Sequence, residues 1–151
     1  MVTELSTVDF VKEIARNCGW DGRKEKKDRE FLHDLKVAME KWDNIPNKKV
    51  LEDAENFIKS NLGFRGNHLF FVNIREPKSI ELFSQLVMET GYEKPIKILI
   101  ESNRTSNEVT SIAEEINEVK YDRIYKNNGT LKDLANTAGE FIEEIIYARR
   151  Y

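Results

Sequence analysis

Arg75 follows a continuous apolar run, LFFVNI, and precedes Glu76 and Pro77. Its planar guanidinium can bind two oxygens of a phosphate at once. A second group of residues suits the same kind of anion. Between positions 20 and 29, Trp20 can stack on a flat base, and Arg23, Lys24, Lys27 and Arg29 gather at a helix entrance. Cations there oppose the helix macrodipole by about 0.3–1 kcal/mol each. A stretch that breaks a stability rule is a candidate for function. The third group is Ser102 to Asn107, where Arg104, Ser106 and Asn107 offer a guanidinium, a hydroxyl and an amide. Each group also has a structural reading. Arg75 can pair internally with Glu76 or Glu101, and a run of charge is most often a solvated face.

Other chemistries find less material. His33 and His68 are isolated, with no H-x-x-x-H pattern and no carboxylate cluster at metal-ligand spacing, so no metal site is expected. Cys18 is the one cysteine, which excludes an internal disulfide. It falls on an apolar helical stripe and is expected to be a buried small hydrophobe. No G-x-S-x-G elbow, G-x-G-x-x-G turn or G-x-x-x-x-G-K-[ST] loop is present. Phosphoryl transfer depends on such a phosphate loop and on Mg²⁺, so the chain has no visible means of that chemistry and no cofactor is expected. Glu76, Glu101 and His33 are the acid–base candidates, and they form no convergent pair.

Elements to position these groups are legible. STVDFVKEIARNC places Val8, Val11, Ile14, Ala15 and Cys18 on one helical stripe, with Ser6 as N-cap and Gly19 as stop. From about Lys26, the residues Phe31, Leu32, Leu35, Ala38, Met39 and Trp42 mark a second helix, with Met39 and Trp42 in the core. DNIPNKK breaks the chain. Val50, Leu51, Ala54, Phe57, Ile58 and Leu62 mark a third helix that ends at Gly63. Residues 69–74 read as a buried strand, and Pro77 starts a helix carrying Ile80, Phe83, Leu86 and Val87. Residues 96–101 and 123–126 read as further strands, with a short helix around Val109, Ile112 and Ile116 between them. After the NNG turn, Thr130 and Asp133 cap a last helix bearing Leu131, Leu134, Ala135, Ala138, Phe141, Ile142, Ile145 and Ile146.

This order predicts one α/β domain over 1–151: three layers, a short mostly parallel sheet flanked by helices, and a helical N-terminal half. In such a sheet, ligands sit outside the carboxyl ends of the strands, where Arg75, residues 102–107 and Asn127-Asn128-Gly129 fall. At 151 residues and 40% hydrophobic, the chain is large enough for a real core. Its formal charge of −3 argues against a surface built for nucleic acid or an anionic membrane. The single cysteine and the absence of a signal peptide or spanning segment point to the cytoplasm.

The blocks STVDFVKEIARNCGWDGRKEKKDREFLHDLK, NIREPKSIELF, ILIESNRTSNEV and YDRIYKNNGTLKDLANTAGEFI, in this order, resemble the deoxynucleoside monophosphate kinase-like P-loop proteins of phages and Gram-positive bacteria. The resemblance covers nearly the whole chain. It implies an acceptor-nucleotide pocket built by Arg75 and by Arg23, Lys24, Lys27 and Arg29, with Arg104 on a lid; Asp122 and Asn127 are structural. Family members begin with a strand and a Walker A loop that have no counterpart here, and that strand is the central one of the sheet. The expected protein is thus a truncated nucleotide-kinase-like fold that binds a nucleotide-derived ligand without turning it over. The implied use is sequestration of a nucleotide signal, cyclic or NAD-derived, as a viral anti-defence protein does in the host cytoplasm. Lost sheet cover implies a homo-oligomer. The alternative is a fragment or subunit of a (deoxy)nucleoside monophosphate kinase. A third possibility is a partner-binding module whose pocket is empty.

Overall fold

The computed structural model describes residues 1–101 and 119–148. Arg104, Ser106, Asn107 and the helix expected around Ile112 lie outside them. The described chain forms β1 (Val2–Ser6), α1 (Thr7–Asn17), α2 (Lys26–Asp43), α3 (Ile45–Ser60), β2 (Leu69–Asn73), α4 (Pro77–Glu89), β3 (Ile98–Glu101), β4 (Arg123–Lys126) and α5 (Leu131–Ala148). The protein is α/β, and its strands are parallel.

Two compact units share these elements. Of the described residues, the first holds 1–95 and Val119, the second 96–101 and 120–148, and each is described on its own. In place of one sheet, the described strands form two pairs, β1 with β2 and β3 with β4. Strand β1 corrects the sequence reading, which expected no strand ahead of the first helix. VTELS is short and half polar, and what makes it a strand is β2, against which it registers from Val2↔Leu69 to Ser6↔Asn73.

In the first unit, β1 runs into α1 without a loop. Ser6 ends the strand and caps the helix, its Oγ accepting from the Val8 N–H at 3.3 Å. Val11 and Ala15 are fully buried, and Gly19, at φ +95°, turns the chain away from the helix end. Cys18, expected inside, is exposed: it is the cap residue past the end of α1, beyond its regular stripe. The DNIPNKK break shrinks to one residue. Asn44, left-handed at φ +50°, closes α2 and opens α3, and Pro46 sits in the first turn of α3. Helix α3 packs against α1, α2, α4 and β1. The core is Val50, Phe83 and Val87, joined by Leu5, Leu51, Val72 and Ile74. Strand β2 is half-buried along its apolar residues, not sealed on both faces as its sequence suggests. Leu62, read as the last stripe residue of α3, is exposed beyond its end.

Helix α2 is rotated from its expected face. Trp42 is 83% exposed, and Phe31 and Ala38 also face solvent. Asp28 and Lys36 are the buried residues of the helix, with Leu32, Leu35 and Met39 half-buried on the same side. Residues i, i+3 and i+4 share a face, so Leu32, Leu35 and Met39 fit either stripe, and Lys36 marks the one that is inside.

In the second unit, Asp122 Oδ2 accepts from the Lys97 N–H at 2.9 Å, and the Asp122 N–H donates to Lys97 O at 2.8 Å. These bonds bring the starts of β3 and β4 together. The Asn127 N–H continues the ladder to Glu101 O at 2.7 Å. The capping box is present. The Thr130 N–H donates to Asp133 Oδ2 at 2.8 Å, and the Asp133 N–H to Thr130 Oγ1 at 3.3 Å. The Thr130 hydroxyl also donates to Asp133 Oδ2 at 2.8 Å, and the two Thr130 donors hold the Asp133 carboxyl below its ordinary value of 3.8, the backbone bond contributing most. Phe141 and Ile145 are buried, with Phe141 edge-on to Tyr125 at 5.5 Å. Leu131, Leu134, Ala135 and Ala138, expected on the same buried stripe, are exposed. The apolar pattern continues into the first turns of α5, but burial begins only at Phe141.

Candidate functional site

Arg75 stands at the carboxyl end of β2, where the strand hands over to α4. The chain on both sides of it is tied down. Asn73 Nδ2 donates to Glu4 Oε1 of the neighbouring strand at 2.5 Å, and Ile74 packs against the core. Glu76 begins α4, but its carboxylate makes no capping bond. It accepts from Lys36 Nζ of α2 instead. Pro77 is buried in the first turn of α4, its fixed φ suited to a helix start. Between these anchors Arg75 is exposed, and among the described residues it makes no ion pair or hydrogen bond. The internal pair with Glu76, which the sequence suggests, does not form; Glu76 pairs with Lys36 instead.

Lys36 is 3% exposed. A buried ammonium is costly unless paired, and here Glu76 and Glu40, the latter at 3.6 Å, both serve it. Ser79 Oγ, fully buried in the first turn of α4, donates to Glu40 Oε1 at 2.6 Å. Asn47 of α3 lies 3.4 Å from the same hydroxyl, and its Nδ2 donates to Asn44 Oδ1 at 2.6 Å. One polar network therefore joins α2, α3 and the start of α4. Sequence reasoning missed it. The only signal was Lys36 and Glu40 at i, i+4 beside an apolar stripe, a pattern that solvated helix faces share.

The GWDGR loop is a compact turn. Gly19 and Gly22 have φ of +95° and +89°, a region that side chains disfavour. Trp20 is half-buried, and its Nε1 donates to Arg23 O at 3.1 Å. The Arg16 guanidinium lies over its ring at 5.6 Å, a cation–π contact that sequence reading missed although Arg16 and Trp20 are four apart. Arg23 pairs with Asp21 at 2.9 Å and Lys27 with Glu25 at 3.6 Å, both in solvent. Lys24 and Arg29 are exposed and form no pair among the described residues. The entrance of α2 is also less basic than its composition suggests. Glu25 is the N-cap residue and Asp28 Oδ2 accepts from its N–H at 3.1 Å, so acids occupy the places the macrodipole favours.

The structure thus brings Trp20 and Arg23 together, with Lys24, Lys27 and Arg29 following on the same stretch. No hydrogen bond or ion pair joins that stretch to Arg75. Glu76 and Glu101, two of the acid–base candidates, belong to different units, and His33 is exposed on α2.

The fold and this site define a small α/β protein with parallel strand pairs and an exposed, unpaired arginine at a strand's carboxyl end. No family model, curated protein or solved structure matches the chain. Among the described residues no helix is long and apolar enough to cross a membrane.

Proposed function

We propose that the chain binds a nucleotide-derived, phosphate-bearing ligand without turning it over, as a nucleotide-kinase-like fold that keeps an acceptor pocket and lacks a phosphate loop. The observation that carries this reading is Arg75. An exposed guanidinium with no carboxylate partner among the described residues, on a backbone fixed at both sides, is ready to take an anion. Its place outside the carboxyl end of a parallel strand is where α/β sheets take ligands. Lys24 and Arg29, likewise unpaired, are the cations of the 20–29 stretch best able to join it. Arg23 and Lys27 must first give up their carboxylates. Sequestration of a nucleotide signal by a homo-oligomer is the use we assign to such binding.

The direct experiment mixes the purified protein with nucleoside monophosphates, cyclic nucleotides and NAD-derived cyclic metabolites. Binding is measured by calorimetry, and each compound is identified by mass spectrometry after heat release. A ligand recovered intact supports the reading; a chemically altered one identifies an enzyme and overturns it. Arg75→Ala is expected to weaken binding by about 1.5–3 kcal/mol, the worth of a charge-assisted contact.

One observation favours a second reading, part of a (deoxy)nucleoside monophosphate kinase. Strand β1 runs straight into α1, where the proteins the chain resembles have a strand followed by a phosphate loop, so phosphoryl transfer would need that loop from elsewhere. On that reading the chain takes a monophosphate weakly and transfers no phosphoryl group from ATP by itself.

A further inference from the structure

We infer that Lys36 is a positioning residue for Arg75: by holding Glu76 it keeps the neighbouring guanidinium free for an external anion. Glu76 is the carboxylate nearest to Arg75 in the chain, and its side chain is 24% exposed, so it has access to the surface on which Arg75 lies. Left alone, it is the natural internal partner of that arginine. Lys36 is buried and approaches from another helix, forty positions away in sequence. It binds Glu76 from the core side. Glu40 does not compete for Arg75, since it is 12% exposed, lies 3.6 Å from the same ammonium and accepts the Ser79 hydroxyl. The network therefore does two things at the start of α4. It satisfies the buried charges, and it engages the carboxylate that stands beside Arg75 in the chain. Where Arg75 is the ligand-binding cation proposed above, Lys36 belongs to that site without touching the ligand.

The state of Arg75 can be read without any nucleotide. The full chain is treated with phenylglyoxal, which modifies accessible, uncommitted guanidinium groups, and the rate at Arg75 is followed by peptide mass spectrometry. Lys36→Met is expected to slow modification of Arg75 about fivefold, the occupancy given by an ion pair of about 1 kcal/mol. Lys36→Arg keeps the wild-type rate, since it keeps a cation for Glu76. In Lys36→Met/Glu76→Gln the rate recovers, because no carboxylate remains to capture Arg75. An unchanged rate in Lys36→Met with a native circular dichroism spectrum overturns the inference, as does a double variant as slow as the single one. Glu76→Gln alone tests it even if Lys36→Met does not fold. The expected rate at Arg75 is that of the wild type, and a faster rate means Glu76 already engages Arg75, which overturns the inference. Nucleotide binding is scored separately, so its failure removes the proposed function and leaves these rates to decide the role of Lys36.

Discussion

Lys27 and Lys36 lie on the same helix, about two and a half turns apart, and each has a glutamate partner. Lys27 meets Glu25 at 3.6 Å with both side chains largely in solvent. Lys36 is buried and meets Glu40, which is mostly inside, and Glu76, whose side chain is partly exposed. Water screens the first pair, and holding two long side chains costs entropy, so its net worth is small. The second group is largely withdrawn from water, Lys36 most of all. Removing one partner leaves charge in a part-buried place without its counterion, although the intact network itself need add little stability. The same chemical pair is thus decoration at one end of α2 and a constraint on three helices further along. A run of basic residues in sequence says little about which of its members matter.

The strongest way to break this comparison is to remove Lys36. Lys36→Met is expected to cost about 3–5 kcal/mol in urea denaturation, with Lys36→Met/Glu76→Gln recovering part of the loss. A cost near zero for the single variant would put Lys36 in the same class as Lys27. Ser79→Ala takes one donor from Glu40 and is expected to cost about 1–3 kcal/mol, the range for a buried group left with one partner fewer. A smaller change means that the network does not depend on its hydroxyl.

Asp133 sharpens the exposed side of the comparison, because an exposed carboxylate can still be held by local donors. Its pKa is depressed in the folded state by Thr130, so its contribution is present above the ordinary value of 3.8 and is lost as pH falls through the lower folded value. Carboxyl carbon shifts should give a midpoint below 3.8, and Asp133→Asn should abolish that part of the acid loss of α5 helicity. A midpoint at or above 3.8 would mean that the Thr130 bonds do not persist in solution. The smallest effect belongs to Lys27→Ala, expected to change stability by no more than about 0.5 kcal/mol. A larger, salt-sensitive loss would show that the entrance of α2 is less solvated than its exposure indicates.

The amino-acid sequence determined what lies within a few residues of each position. Ser6 before an apolar stripe, Pro77 after a strand, and Thr130 three residues before Asp133 all act within one helical turn, and each appears in the structure at its expected place. Strand residues at 69–73, 98–101 and 123–126 were legible from their runs of branched and aromatic side chains. Part of the candidate site was legible for the same reason: Gly19 and Gly22 announce the turn that sets Trp20 beside Arg23.

Tertiary structure alone decided the rest. Which face of α2 is inside depends on what α3 and α4 bring to it, and a stripe with Leu32, Leu35 and Met39 on its border fits two rotations. VTELS becomes a strand only because β2, more than sixty residues away, offers it a ladder. Glu76, the carboxylate next to Arg75 in sequence, pairs with Lys36, forty residues away. Local signals are read by neighbours along the backbone. Burial, strand partnership and the fate of a charge are settled by neighbours in space.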